Sequence, residues 1–160
     1  MLTDKSVRQL NCNDGMRITI CGSISFASKI LEIRGKLIEL GHEALLPASI
    51  LDFSVKDSSD AEKLKKDREE YISKTKPRYT REHFNLIEKS DAILVVNEDK
   101  NGVKNYIGGA TFSELMLAFH LKKKIFLLNP VPEDPRLSFI KDEVECTRPI
   151  ILNGDIGLVR

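Results

Sequence analysis

Nothing in this chain is long and apolar enough to span a bilayer: no hydrophobic run approaches the roughly 20 residues a membrane helix needs. Residues Met1 to Met16 are polar and lack the apolar centre of a secretory signal, so a cytoplasmic protein with no membrane contact is expected. Charge of one sign is missing too. With 25 basic and 24 acidic side chains the net charge is +1, which leaves no global footprint for a polymeric nucleic acid. Cys12, Cys21 and Cys146 are odd in number and far apart, and no metal-ligand spacing links them. That excludes a disulfide framework and fits a reducing compartment. Cys21 lies inside an apolar strand and reads as a small buried hydrophobe. The first strand-to-helix turn holds one glycine where a dinucleotide fingerprint has three, and no Walker lysine motif follows. Neither a cofactor nor a metal is therefore expected.

What is present is an ordinary globular composition, 41% hydrophobic and 31% charged over 160 residues, which fits one domain with a real core. Residues 1–15 read as a flexible arm and 16–160 as the folded domain. Arg17–Cys21, Glu43–Leu46, Ala92–Val96, Lys124–Leu128 and Pro149–Leu152 read as strands. Helices are expected over Phe26–Leu40, Thr80–Lys89, the segment after Gly109 and Leu137–Val144. Ile30, Ile33, Leu37 and Leu40 share one helical face, and Gly41 caps that helix. Phe84 and Ile87 supply the buried side of the next one. Residues 52–79 change character: a charged helix from Lys63 to Ile72, broken at Lys76-Pro77, reads as a solvated face or a flap. Alternating strands and helices predict a single-domain α/β fold, flavodoxin-like or Rossmann-like, with a five-stranded parallel sheet and helices on both faces.

In such a sheet ligands bind beyond the carboxyl ends of the strands. Gly22, Ser23 and Ser25 lie at that edge. The two serines either hold a phosphate with the following backbone amides or cap the helix. Asn97, Glu98 and Asp99 end the third strand, as sugar-hydroxyl ligands or as a polar loop. Gly108-Gly109 leads into a helix that carries Thr111 and Glu114. Two glycines permit positive φ and close backbone approach by a ligand. Thr111-Phe-Ser-Glu114 also fits a capping box, which would make Glu114 a structural cap instead of a catalytic carboxylate. His83 has no metal-spaced partner, and His42 and His120 read as helix-end or surface residues. The helix segment Leu115–Phe119 is apolar on nearly every side, which predicts burial on two sides and a homodimer or higher homo-oligomer.

Taken together, Cys21-Gly-Ser-Ile24, Ser90–Val96 and Gly109-Ala-Thr-Phe-Ser-Glu114, in that order across residues 17–130, resemble the nucleoside 2-deoxyribosyltransferase superfamily and its neighbours, the deoxynucleoside monophosphate N-glycosidases. The resemblance implies a flavodoxin-like fold, a homo-oligomer, a small-molecule nucleoside or nucleotide as substrate, and a glutamate nucleophile at Glu114. The family tyrosine of strand one is Thr19 here, and the glycosidase arginine is Ser25. The family aspartate that protonates the leaving base is His83, with Glu82 beside it. Gly108-Gly-Ala-Thr-x-x-Glu114 is also similar to the glycine-rich motif of the cytokinin-activating phosphoribohydrolases. The expected reaction is hydrolysis or transfer at an N-glycosidic bond. Glu114 would be the nucleophile and His83 or Glu82 the acid, with Gly22, Ser23, Ser25, Asn97, Gly108, Gly109 and Thr111 binding substrate. An inactive nucleotide-binding or sensor module of the same fold is the alternative. A third reading is an interaction protein that uses its charged 57–82 segment.

Overall fold

In the computed structural model, which describes residues 15–53 and 68–160, five strands form one parallel sheet. They are β1 (Arg17–Gly22), β2 (Glu43–Leu45), β3 (Ala92–Val96), β4 (Lys124–Leu127) and β5 (Ile150–Ile151). The order is β2-β1-β3-β4-β5, with neighbouring pairs parallel throughout. This is the flavodoxin-like order, which places a switch point between β1 and β3. β3 reads as a continuous apolar run, buried at every position, because a parallel sheet is covered on both faces.

Strand alternation divides the core in two. Ile18, Ile20, Leu94, Val96 and Phe126 pack on one face against Ile30, Ile33 and Leu37 of helix α1 (Ala27–Glu39) and against Ile156 and Val159 near the C-terminus. On the other face lie Cys21, Ile93, Val95, Ile125 and Leu127. They meet Ile87 of α3 (Lys76–Glu88), Leu115 and Ala118 of α4 (Gly109–His120), and Ile140 and Val144 of α5 (Ser138–Cys146). A short helix, α2 (Ala48–Phe53), follows β2. No helix among the described residues is long and apolar enough to cross a membrane.

α1 ends as expected. Gly41 takes φ 88° and donates to Ile38 O, while His42 N donates to Leu37 O, the paired bonds of a left-handed cap. Leu40 itself is the C-cap and is exposed, one residue past the buried face. His42 does more than end the helix. Its Nδ1 accepts from Met16 N at 3.1 Å, which leaves Nε2–H to donate to Val159 O at 3.3 Å.

Lys76-Pro77 does not break the preceding helix. From Arg68, where the described residues resume, an α-helical segment (Arg68–Glu70) passes into a π turn (Tyr71–Thr75) and on into α3, where Pro77 falls in the first turn and needs no amide partner. The 52–79 flap is thus seen in part, with its 54–67 stretch outside the described residues, as is the arm up to residue 14.

Asn97 is fully buried at the end of β3 and lies off the cleft described below. Its Nδ2 donates to Asn129 O and Pro130 O, both at 3.0 Å, and its Oδ1 accepts from Asn129 N at 2.9 Å. Asn129 Nδ2 returns a bond to Asn97 O. Every hydrogen-bonding atom of the amide is used within the chain, so the expected sugar contact is replaced by a clamp across the ends of β3 and β4. Removing it strands buried backbone groups, each costing about 1–3 kcal/mol. Asn97→Ala should therefore lower stability by about 2–4 kcal/mol in urea denaturation. A loss under about 0.5 kcal/mol, the range of a neutral surface change, would show that the clamp is not holding the sheet edge.

Candidate active site

A cleft of about 260 Å³ opens at the carboxyl edge of the sheet, beside the β1–β3 switch point. That lies just below the roughly 300–1,000 Å³ usual for small-molecule pockets. Gly22 ends β1 against β3: a Cβ there would lie 3.1 Å from Val96 O and 3.3 Å from Ile30 Cδ1, so any side chain would require these neighbours to give by a few tenths of an ångström. The chain then turns through Ser23 and Ile24 at the cleft edge. Opposite, the N-terminus of α4 brings Gly108, Gly109, Ala110 and Thr111 to the wall. Gly108 is the N-cap in an extended conformation (φ −83°, ψ 169°), and neither glycine uses positive φ. Gly109 faces open space, since a Cβ there would meet nothing within 4 Å.

The capping box does not form. With Gly108 as N-cap, Thr111 is already the third helical residue and Glu114 stands in the second turn, not the first. Glu114 is instead buried at the cleft with its carboxylate turned to α3, where Oε1 is 2.7 Å from His83 Nδ1. Its Oε2 is buried and has no hydrogen-bond partner. His83 is buried as well, and its Nε2 lies 3.7 Å from Cys21 Sγ. Three elements, β1, α3 and α4, thus converge on one row of side chains: Cys21, His83, Glu114.

The row arises from periodicities already in the sequence. On β1, Cys21 points to the face opposite Ile18 and Ile20. On α3, His83 and Ile87 are four apart and share the buried side. Glu82, one position round the helix, is exposed and does not line the cleft. The acid role expected of Glu82 fails on that geometry. His83 lines the cleft, with one ring nitrogen facing Glu114 and the other facing Cys21. Cys21 is a fully buried core residue, as its strand context suggests, and it also faces His83. Burial, and then the neighbouring Glu114 carboxylate, push its thiol well above the ordinary range, so it stays an S–H group. Fully buried and protonated, it is no nucleophile. One atom from each of the three, the thiol sulfur, a ring nitrogen and a carboxylate oxygen, lies within 4.8 Å of the others, so the row is also compact enough to be a metal-ligand set.

The rest of the cleft is polar and basic at one side. Lys100 Nζ donates to Ser23 Oγ at 2.9 Å and lies 5.1 Å from the Tyr106 ring centre. Lys76 lines the same wall. All 3 tyrosines of the chain, Tyr71, Tyr79 and Tyr106, line this one cleft. Tyr79 donates to Asp52 Oδ2 at 2.7 Å, and burial with that bond pushes its hydroxyl up to about 12. Ser25 is exposed and off the cleft, with its backbone N donating to Ser23 Oγ. Glu98 and Asp99 serve the loop: Tyr106 N donates to Glu98 O and Asn105 N to Asp99 Oδ1. Thr19, at the family tyrosine position, is buried against Ser90 with 2.6 Å between hydroxyl oxygens. Ser90 donates onward to Leu86 O, so Thr19 supplies the proton between them.

Of the sequence-derived residues, Gly22, Ser23, His83, Gly108, Gly109, Thr111 and Glu114 meet at the cleft, whereas Ser25, Glu82 and Asn97 do not. Lys76, Lys100, Tyr71, Tyr79 and Tyr106 were not singled out. The one signal for Tyr106 and Lys100 was their position on the loop between β3 and the Gly-Gly turn. Comparison with known proteins gives no matching protein-family model, curated protein or solved structure.

The thiol state is directly testable. In native protein at pH 8, Cys146, which is exposed, should react with a thiol reagent while Cys21 stays unmodified by peptide mass mapping. Unfolding should make Cys21 reactive. Equal labelling of the two in the native state would mean that the row opens to solvent or that Cys21 is a thiolate.

Proposed function

We propose that this protein cleaves the N-glycosidic bond of a nucleoside or nucleotide with Glu114 as nucleophile. The observation that carries the reading is Glu114 Oε2, a buried carboxylate oxygen without a partner in a side chain that lines the cleft. Its twin oxygen is held by His83, so the carboxylate is oriented and one oxygen is left for a ligand. Oε2 attacks the anomeric carbon, and the C–N bond breaks with its electron pair leaving on the base, which takes a proton from solvent. Water as acceptor then frees the sugar and restores the carboxylate; a second base as acceptor makes the reaction a transfer. The tyrosine-lined wall offers aromatic surface to a base. The amides at the start of α4, with Lys76 and Lys100, suit a phosphate. The similarity of residues 17–130 to the deoxyribosyltransferase superfamily supports the same chemistry.

A second reading, a nucleotide-binding module without turnover, is favoured by one observation: both ring nitrogens of His83 are engaged, so no proton donor of the family kind stands beside Glu114. Base release from a panel of nucleosides and nucleotides separates the two. Under the enzymatic reading, Glu114→Gln lowers kcat by about 1,000-fold or more while the melting temperature moves little, because glutamine keeps an oxygen for His83. Release that survives in Glu114→Gln rejects the nucleophile. Thermal stabilisation by a nucleotide with no release in the wild type selects the binding module.

The expected homo-oligomer belongs to this reading. Leu115 and Ala118 of α4 are buried within the chain, whereas Phe119 is 45% exposed beside them. Light scattering should give a mass of at least two chains, and Phe119→Glu should reduce it. A strict monomer at high micromolar concentration removes the dimer.

A further inference from the structure

We infer that Cys21 is a positioning residue, which acts through His83 to fix the orientation of the Glu114 carboxylate. Cys21 Sγ–H donates to His83 Nε2, the ring carries its proton on Nδ1, and Nδ1–H donates to Glu114 Oε1. The catalytic consequence rests on Glu114 being the nucleophile; the proton arrangement does not.

Three features support this arrangement. The first is direction. Sγ is 3.7 Å from Nε2 and 4.0 Å from Thr19 O, and the Glu114 carboxylate lies within 4.8 Å; of the two acceptors in hydrogen-bond geometry the imidazole is the nearer. The second is supply of protons. A neutral imidazole has one N–H, and the group facing one nitrogen decides the role of the other. Glu114 Oε1 at 2.7 Å takes the N–H on Nδ1, which leaves Nε2 a bare acceptor needing a donor. Cys21 is the donor within reach, and its environment keeps the proton on sulfur. The third is enclosure. Cys21 has no exposed surface and His83 is 5% exposed, so water does not readily replace either partner.

The other ionisable groups around His83 are turned to different work. Tyr79 on α3 is bonded to Asp52 of α2, and Lys100 is bonded to Ser23. Thr19, which shares Cys21's side of β1, gives its proton to Ser90. The relay is therefore a compact buried cluster in which the thiol, a ring nitrogen and a carboxylate oxygen lie within 4.8 Å of one another. Its function is to pin one carboxylate oxygen so that Oε2 keeps a fixed aim into the cleft.

The test uses the full chain labelled with ring-¹⁵N histidine, with His83 assigned from the resonances lost in His83→Asn. In the wild type His83 should be the Nδ1–H tautomer. The bare Nε2 resonance should move in Cys21→Ala, where the donor is gone, and return toward the wild-type position in Cys21→Ser, where a hydroxyl replaces it. An Nε2–H tautomer, a doubly protonated ring, or an Nε2 resonance indifferent to Cys21→Ala overturns the inference. These readings need no turnover, so they stand or fall separately from the reaction. With turnover, Cys21→Ala should lower kcat about 10- to 100-fold at unchanged KM, the scale of a slightly misplaced reacting group. Cys21→Ser should stay within about 3-fold of wild type, far less than that loss. Equal kcat in Cys21→Ala and wild type overturns the positioning role even if Glu114→Gln is inactive.

Discussion

The 2.7 Å bond between His83 and Glu114 is the contact on which the candidate site depends. Taking a carboxylate out of water is expensive and is offset only by well-made hydrogen bonds. Here one oxygen receives such a bond and the other receives none. An unpartnered buried acceptor costs about 1–3 kcal/mol. Asn97 shows the contrast at the same sheet edge. It is more deeply buried, and its amide is used in full by Asn129 and Pro130. A polar residue that answers only to the fold looks like Asn97. Glu114 lines a cleft and retains an unmet bond, and that difference separates a structural polar residue from a candidate reactive one.

The architecture was legible because its signals are redundant. Runs such as Ala92–Val96 are apolar at every position, as strands covered on both faces must be, and each is followed by a helical stretch. That pattern fits a parallel sheet whatever the individual boundaries. Boundaries were less legible where one local rule competes with another. Pro77 ordinarily ends a helix, but a π turn just before it shifts the register so that its missing amide falls in a first turn. Leu40 completes an apolar spacing yet lies past the last buried turn of α1.

The site was half legible. Gly22 and Glu114 stand at an edge that topology alone selects. Roles within the edge depended on side-chain direction, which a single residue of register changes. Thr111 and Glu114 have the spacing of a capping box, but the helix begins at Gly109 and so carries both inward past the cap. Glu82 and His83 are adjacent in sequence and about 100° apart round a helix, so one is in solvent and the other in the core. Lys100 and Tyr106 reach the cleft because the loop after β3 folds back through the Asn101-Gly102 turn, with φ of 51° and 74° and a Lys100–Val103 bridge. No periodicity marks such residues. The Cys21–His83 contact joins positions 62 apart and was invisible for the same reason.

The identity of residue 83 bears on the mechanism beyond its position. A carboxylate there would set a second negative charge against Glu114, and two adjacent carboxylates tend to share a proton. An imidazole backed by a thiol offers Glu114 a donor without adding negative charge. It leaves the carboxylate oriented by one oxygen and unopposed at the other. Under the proposed glycosidic cleavage the cost would fall on the leaving group, because both ring nitrogens of His83 face partners inside the chain. An arrangement of this kind favours bases that depart readily, or that draw a proton from water at the cleft mouth, over those that need a strong internal acid. Substrate preference among bases would then follow from Cys21 and His83 together, two residues behind the nucleophile, as much as from the walls of the cleft.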